Sequence, residues 1–198
     1  TMLTFFKEAG LRTIGIDPAI DVAHLANSKG IYTIDQFVSI SLAQEIRKRF
    51  GPANIVIANN VFAHADDMSG MLRAIQTLLS PDGCFFFEAS YLVDLIEKML
   101  IGTIFHEHIC YHSLLPLTSF FKRHDLQLID VKRVNIQGGS IIGTVQHDVG
   151  SRPTSNYVTE LLDLETTLDL SNSETVKGFN DRFQSRKGEI YTLMHNIK

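Results

Sequence analysis

Cysteine is scarce in this chain: Cys84 and Cys110 are the only two in 198 residues. That is too few to staple a small disulfide scaffold, and two unpaired thiols fit a reducing cytoplasm. Long apolar runs are missing as well. None approaches the ~20 residues that a membrane-spanning helix requires, so no membrane partner is expected. There is no surplus of positive charge, with 18 Lys+Arg against 22 Asp+Glu and a net charge of −4 at pH 7. Binders of the phosphate backbone carry a basic surplus, so nucleic acid is not expected as the main partner. Thr1 to Gly10 lacks the basic opening of a secretory leader, and no internal repeat or low-complexity tract is present. Neither end carries a turn signal, which reads as a fragment of a longer polypeptide. Glycine is missing from one telling place, since only Gly10 and Gly15 precede Asp17.

What is present is enough apolar material for a sizeable core: 44% of residues are hydrophobic and 20% charged, which excludes a disordered tail. Helix and strand patterns alternate over the first ninety residues. A helix ends at Gly10, and Thr13 to Asp17 reads as a short buried strand. A helix follows, with Pro18 in its first turn, and Ile31 to Ile34 is a second strand. Ser41 to Phe50 is a helix, Asn54 to Asn59 an apolar strand, Asp67 to Leu79 a helix, Ser80 to Gly83 a turn, and Cys84 to Glu88 another buried strand. Apolar strands alternating with helices imply a parallel sheet covered on both faces. Beyond residue 90 the pattern changes. Pro116 to His124 predicts a helix, and Leu126 to Ile136 with Ser140 to His147 predicts an antiparallel hairpin at a sheet edge. Asn156 to Asp169 and Ser173 to Asn196 have helical period, with a domain boundary expected near Gly150 to Pro153.

Three constellations carry chemistry. In Gly15-Ile16-Asp17-Pro18, a carboxylate at the carboxyl end of a parallel strand stands where doubly wound sheets bind ligands, and it suits the two hydroxyls of a ribose. The same Asp is equally suited to cap the next helix. The glycine-rich turn that normally accompanies such an acid is not in the chain. The strand before that turn lies centrally in such sheets, so a bare central edge is expected here. Asn59-Asn60-Val61-Phe62-Ala63-His64 follows the third strand at the same sheet face, as a ligand loop or as a polar turn. Phe105-His106-Glu107-His108, with Tyr111 and His112 behind it, gathers three of the eight histidines. His108 and His112 stand four apart, a spacing that suits metal binding on a helix face, although the zincin pattern H-E-x-x-H is broken by Cys110. Acid–base chemistry, with Glu107 orienting an imidazole, is the second reading, and a surface histidine cluster the third. Cys84, Cys110 and the run Phe85 to Phe87 read as core, and Gly138-Gly139 as a hairpin turn whose backbone permits close approach.

Together these stretches resemble one family, the S-adenosylmethionine-dependent sugar C-methyltransferases, which methylate C3 of nucleotide-linked 4-keto deoxysugars in antibiotic biosynthesis. The matching segments are GIDP at 15–18, ANNVFAH at 58–64, TIFHEHICYHS at 103–113 and QGGS at 137–140, in the family's order. The resemblance implies an α/β, Rossmann-like class I methyltransferase domain over residues 1–150. Its doubly wound sheet would carry an antiparallel edge hairpin and begin after its glycine-rich loop, with the helical start of a C-terminal domain at 151–198. The resemblance also implies S-adenosylmethionine as cofactor and a nucleotide-linked sugar as substrate, in a chain whose own activity is expected to be impaired without that loop. The family's cysteine-rich zinc-binding part has no match here, so no metal site is expected.

By the same resemblance, His108 is the base that takes the C3 proton beside the ketone. Glu107 holds a sugar hydroxyl or the imidazole, and His64 donates to the developing enolate. Asp17, Asn59 and Asn60 bind the cofactor, and Phe105, Gly138 and Gly139 contact the sugar. Two departures bear on the substrate. Phe105 stands where the family usually has tyrosine, and Gln137 where histidine often precedes the two glycines. Two other classes fit parts of the sequence. A nicotinamide-dependent oxidoreductase also uses an acid after its second strand, and a non-catalytic nucleotide-binding module explains the abrupt ends but leaves the HEH block without a purpose. The sequence leaves the oligomeric state open.

Overall fold

The structure, a computed structural model, describes residues 2–106 and 108–197. Its first half alternates helix and strand: α1 Met2–Glu8, β1 Gly15–Ile16, α2 Ile20–Ser28, β2 Thr33–Ile34, α3 Ile40–Phe50, β3 Ala53–Asn59, α4 Met68–Leu78 and β4 Leu79–Ser90. The second half comprises α5 Leu92–Lys98, α6 Leu114–Lys122, β5 Leu126–Val134, β6 Ser140–His147, α7 Asn156–Thr167 and α8 Ser173–Asn196. Local chemistry sets several boundaries. Ser39 caps α3 by accepting from the Leu42 amide, and Gly51 ends that helix at φ +82°, a conformation that glycine adopts without strain. Asp67 caps α4 by accepting from Gly70 N at 2.7 Å. Pro18 lies ahead of α2 rather than in its first turn, because Asp17 Oδ1 accepts from the Ala19 amide at 2.9 Å and delays the helix to Ile20.

The strands form two sheets. β1 and β2 pair in parallel, and a four-stranded sheet runs in the order β3-β4-β6-β5. β3 and β4 are parallel, whereas β6 is antiparallel to both β4 and β5, which is the expected edge hairpin. The expected turn at Ser80 to Gly83 is instead an irregularity inside β4. The ladder passes from the Ala53–Leu79 pair directly to Ile55–Cys84, so the intervening residues of β4 bulge out of register.

The main core lies on one face of the four-stranded sheet. There Phe85, Phe87 and Ala89 of β4 pack with Leu72 and Ile75 of α4, Leu114, Leu117 and Phe121 of α6, and Val158 of α7. A second cluster joins α3 and α4 through Leu42, Ala43, Ile46, Ala74 and Leu78, with Ile16 and Ile34 of the small sheet against it. The expectation of a sheet buried on both faces holds only in part, for Ile55 on the other face is 46% exposed. α7 belongs to the main core rather than standing apart: Ser155 N donates to Ile129 O at 2.7 Å and Val158 is buried. Among the described residues, no helix is long and apolar enough to cross a membrane.

Candidate active site

The loop between α5 and α6 carries the histidine-rich block. It opens with a short 3-10 turn, Ile101–Thr103, and is otherwise irregular up to Ser113. His108 and His112 therefore do not share a helix face, and their spacing loses its meaning as a metal signature. Among the described residues, no group of three or more His, Cys, Asp or Glu side chains is placed to hold a metal ion. Glu107 lies outside the described residues.

His108 sits at the centre of an aromatic cluster. Its ring centroid is 4.0 Å from that of Phe105, 4.9 Å from His64 and 5.9 Å from Tyr111. Its Nδ1 is 2.9 Å from the Thr103 carbonyl oxygen. A carbonyl oxygen only accepts, so Nδ1 carries the proton and donates, and the lone pair is left on Nε2. The Tyr111 hydroxyl donates to the same carbonyl at 3.2 Å, and Thr103 Oγ1 ties back to Leu100 O at 2.7 Å. His64 arrives from the opposite loop on the 3-10 turn Phe62–His64, anchored by the buried Phe62, which packs edge-on to Phe87. Two sequence-distant segments thus bring two imidazoles together, one with a fixed tautomer.

The carboxyl ends of the parallel strands supply a second set of groups. Asp17 follows β1, half-buried, with Oδ1 occupied by the helix-capping bond already described. A carboxylate has about four acceptor sites, so capping and ligand binding are compatible. Asn59 ends β3. Asn60 adopts φ +53° and donates its amide to the Glu88 carbonyl at 2.8 Å. Glu88 is the residue that sequence reasoning passed over as the end of an apolar strand. It is 7% exposed, and its Oε1 has no hydrogen-bond partner among the described residues. The available signal was a lone charge closing the run Cys84-Phe85-Phe86-Phe87.

Gly138 and Gly139 lie against protein. A Cβ on Gly138 (φ +91°) would meet Leu100 Cδ1 at 2.9 Å, and one on Gly139 would fall 2.2 Å from Asp94 Cβ. Asp94 is fully buried and bound by both Arg133 and Lys98, and Lys98 also donates to the Gly138 carbonyl at 2.7 Å. Burial alone would raise the Asp94 pKa, but the hydrogen bonds from Arg133 and Lys98 hold it below the usual carboxylate value. The close approach of these glycines therefore seats the β5–β6 connection against α5 and Leu100, where the histidine loop begins.

Four residues after His108, His112 has a different setting. It is buried, with Nε2 3.5 Å from Cys110 Sγ, and its backbone bridges to Tyr91. Burial lowers the His112 pKa and raises that of the Cys110 thiol. Glu165 of α7, 2% exposed, accepts from the Tyr91 hydroxyl at 2.9 Å and from the Leu114 and Leu115 amides at 2.5 and 2.9 Å. It caps α6 from a distant helix. Burial, with the Glu165 charge beside it, pushes the Tyr91 phenol far up.

Comparison with known proteins bears on the family and the fold. The methyltransferase domain model matches residues 1–131, and that of the C-methyltransferase C-terminal domain matches residues 135–198. The chain is 34% identical over 195 residues to the C-methyltransferase NovU of Streptomyces niveus; the match covers 98% of this chain and 46% of that protein, so the chain spans about half the length of its curated relative. It is similar to a solved SAM-dependent methyltransferase from Anabaena variabilis, at TM-score 0.53 and 15% identity, covering 69% of this chain and 68% of that one. It is also similar to the Burkholderia thailandensis 1,6-didemethyltoxoflavin-N1-methyltransferase, at TM-score 0.52 and 18% identity, covering 73% and 65%. At these identities the likeness speaks for the fold, which is the Rossmann-like α/β fold of class I methyltransferases.

Proposed function

The chain belongs to the methyltransferase domain family, and from that premise we propose that it forms the catalytic part of an S-adenosylmethionine-dependent C-methyltransferase acting on a nucleotide-linked 4-keto deoxysugar. The observation that carries the proposal is the His108 tautomer fixed by Thr103, beside His64. Methylation at carbon needs a carbanion equivalent, and a proton beside a ketone is acidic enough for a positioned imidazole to remove when the enolate oxygen is stabilised.

His108 takes the C3 proton on Nε2 while Nδ1 stays bonded to the Thr103 carbonyl, which stabilises the imidazolium that forms. His64 donates to the enolate oxygen, and the family resemblance gives Glu107 the role of holding a sugar hydroxyl or the imidazole. Phe105 packs on the His108 ring and shields it from water, with no phenol hydroxyl to offer the substrate. Gly138 and Gly139, seated on Leu100 and Asp94, hold the floor of the histidine loop.

The groups at the carboxyl ends of the parallel strands fit the cofactor: the Asp17 carboxylate suits its ribose hydroxyls, Asn59 and Asn60 bring side-chain amides on β3 and its loop, and Glu88 offers an orphaned buried carboxylate oxygen. When bound, S-adenosylmethionine supplies the electrophilic methyl group. NovU, a C-methyltransferase by name, supports transfer to carbon, and the HEH block resembling the sugar methyltransferases supports the substrate class. The proposed setting is the cytoplasm, where the cofactor and sugar nucleotides are made.

The test compares thermal shifts of the intact protein with S-adenosylmethionine and with NAD, followed by methyl incorporation into a nucleoside-diphosphate-linked 4-keto deoxyhexose. Stabilisation by S-adenosylmethionine alone, with label at C3, is the expected result. Stabilisation by NAD instead would turn the reading towards an oxidoreductase.

A further inference from the structure

We propose that Glu88 is a ligand-contacting carboxylate that accepts a hydrogen bond from an O–H or N–H group of a molecule bound over the carboxyl end of β3 and β4. The assignment rests on the reading of this edge as the methyl-transfer site. A buried carboxylate oxygen without a donor is costly, and native structures retain few such groups. Glu88 is one, at 7% exposure with Oε1 unpartnered among the described residues.

Its place in the sheet says what it is for. Glu88 is the register partner of Asn59, so the two side chains project from the same face at the ends of adjacent parallel strands. The backbone of Glu88 holds the left-handed Asn60, from which the chain runs to His64 within four residues. On its other side Glu88 pairs with Ile142 of β6, the strand that starts just after Gly138-Gly139. Along that face its neighbours are Phe86 on its own strand and Ile142 of β6, neither of which offers a donor, and Asn59 and Ser90, whose polar groups leave Oε1 unpartnered. The carboxylate thus stands between the β3 loop and the β5–β6 connection, with an acceptor oxygen that no described residue fills. Two ligands carry suitable donors: the cofactor through its ammonium group, and the sugar acceptor through a hydroxyl.

The experiment uses the intact protein with Glu88→Gln and Glu88→Met, and Asp17→Ala as control. S-adenosylhomocysteine affinity is read by calorimetry, KM with a nucleoside-diphosphate-linked 4-keto deoxyhexose, and the Tm without ligand. Glu88→Gln is expected to weaken one of the two ligands by about tenfold or more, because an ionic acceptor becomes a neutral one. Loss of S-adenosylhomocysteine affinity identifies the ammonium as the donor, and a raised KM identifies the hydroxyl. Glu88→Met is expected to leave the Tm at or above the parent value, because a buried carboxylate oxygen without a partner is removed. Unchanged affinity for both ligands, or a lower Tm in Glu88→Met, would overturn the assignment and make Glu88 a structural group. If Asp17→Ala loses affinity while Glu88→Gln keeps it, the methyl-transfer reading survives and the Glu88 assignment alone falls. A parent protein that binds no S-adenosylhomocysteine overturns both.

Discussion

His108 and His112 are four residues apart in one irregular loop, yet the fold gives them opposite surroundings. His108 is half-buried among Phe105, His64 and Tyr111, with one ring nitrogen tied to a backbone carbonyl and the other left to act. His112 is buried beside Cys110 and Phe62, on the bridge to Tyr91 that Glu165 locks from α7. The first arrangement exposes a lone pair on a held ring, and the second hides an imidazole to fasten the loop. Proximity in sequence therefore says little about shared chemistry; the tautomer and the burial decide it.

The largest effect expected from breaking this contrast is on the active side. His108→Asn should lower methyl transfer by about 10²–10⁴-fold while leaving the Tm near the parent value, since loss of a general base costs that much in rate. A matching loss of folded protein would move His108 to the anchoring side. Next comes the anchor. Glu165→Ala strands the buried Tyr91 hydroxyl and uncaps two α6 amides, and should cost about 3 kcal/mol in urea denaturation, of the size expected for breaking a buried charge-assisted set. An unchanged midpoint would mean that α7 does not fasten the loop. His64→Ala should slow methyl transfer less than His108→Asn, by about tenfold, as expected for a lost hydrogen-bond donor rather than a lost base.

The smallest effect is a pH dependence. The His112 pKa is lowered by burial, so below about pH 6.5 the unfolded chain binds a proton that the folded chain resists. This part of the stability is complete above that pH and is lost on acidification towards the lowered folded value. His112→Gln should flatten that slope, seen as a smaller fall in Tm between about pH 7 and 5. A parent slope that survives the substitution would assign it to another group.

Much of this was legible in the residues. The helix start at Asp67, the apolar strands and the edge hairpin follow from local rules, and the pairing of His64 with His108 joins two of the three constellations read from the sequence. The rest depends on partners far away in the chain. Glu165 is 74 residues from Tyr91 and 51 from Leu114, so nothing near it in sequence marks it as a cap. Pro81 and Gly83 signalled a turn, but the neighbouring strand absorbs them as an irregularity. Glu88 was hidden by its own apolar run, because a strand pattern counts faces and not hydrogen bonds. His112 resembled a ligand only while the loop was imagined as a helix.

The central claim is that His108 removes the proton beside the ketone. It is tested most directly by following solvent deuterium into C3 of the nucleotide-linked 4-keto deoxysugar, with the intact protein and no methyl donor turnover, comparing the parent with His108→Asn. The account predicts exchange in the parent and loss of about 10²-fold or more in the variant, with S-adenosylhomocysteine still bound. Exchange at the parent rate in His108→Asn would contradict it.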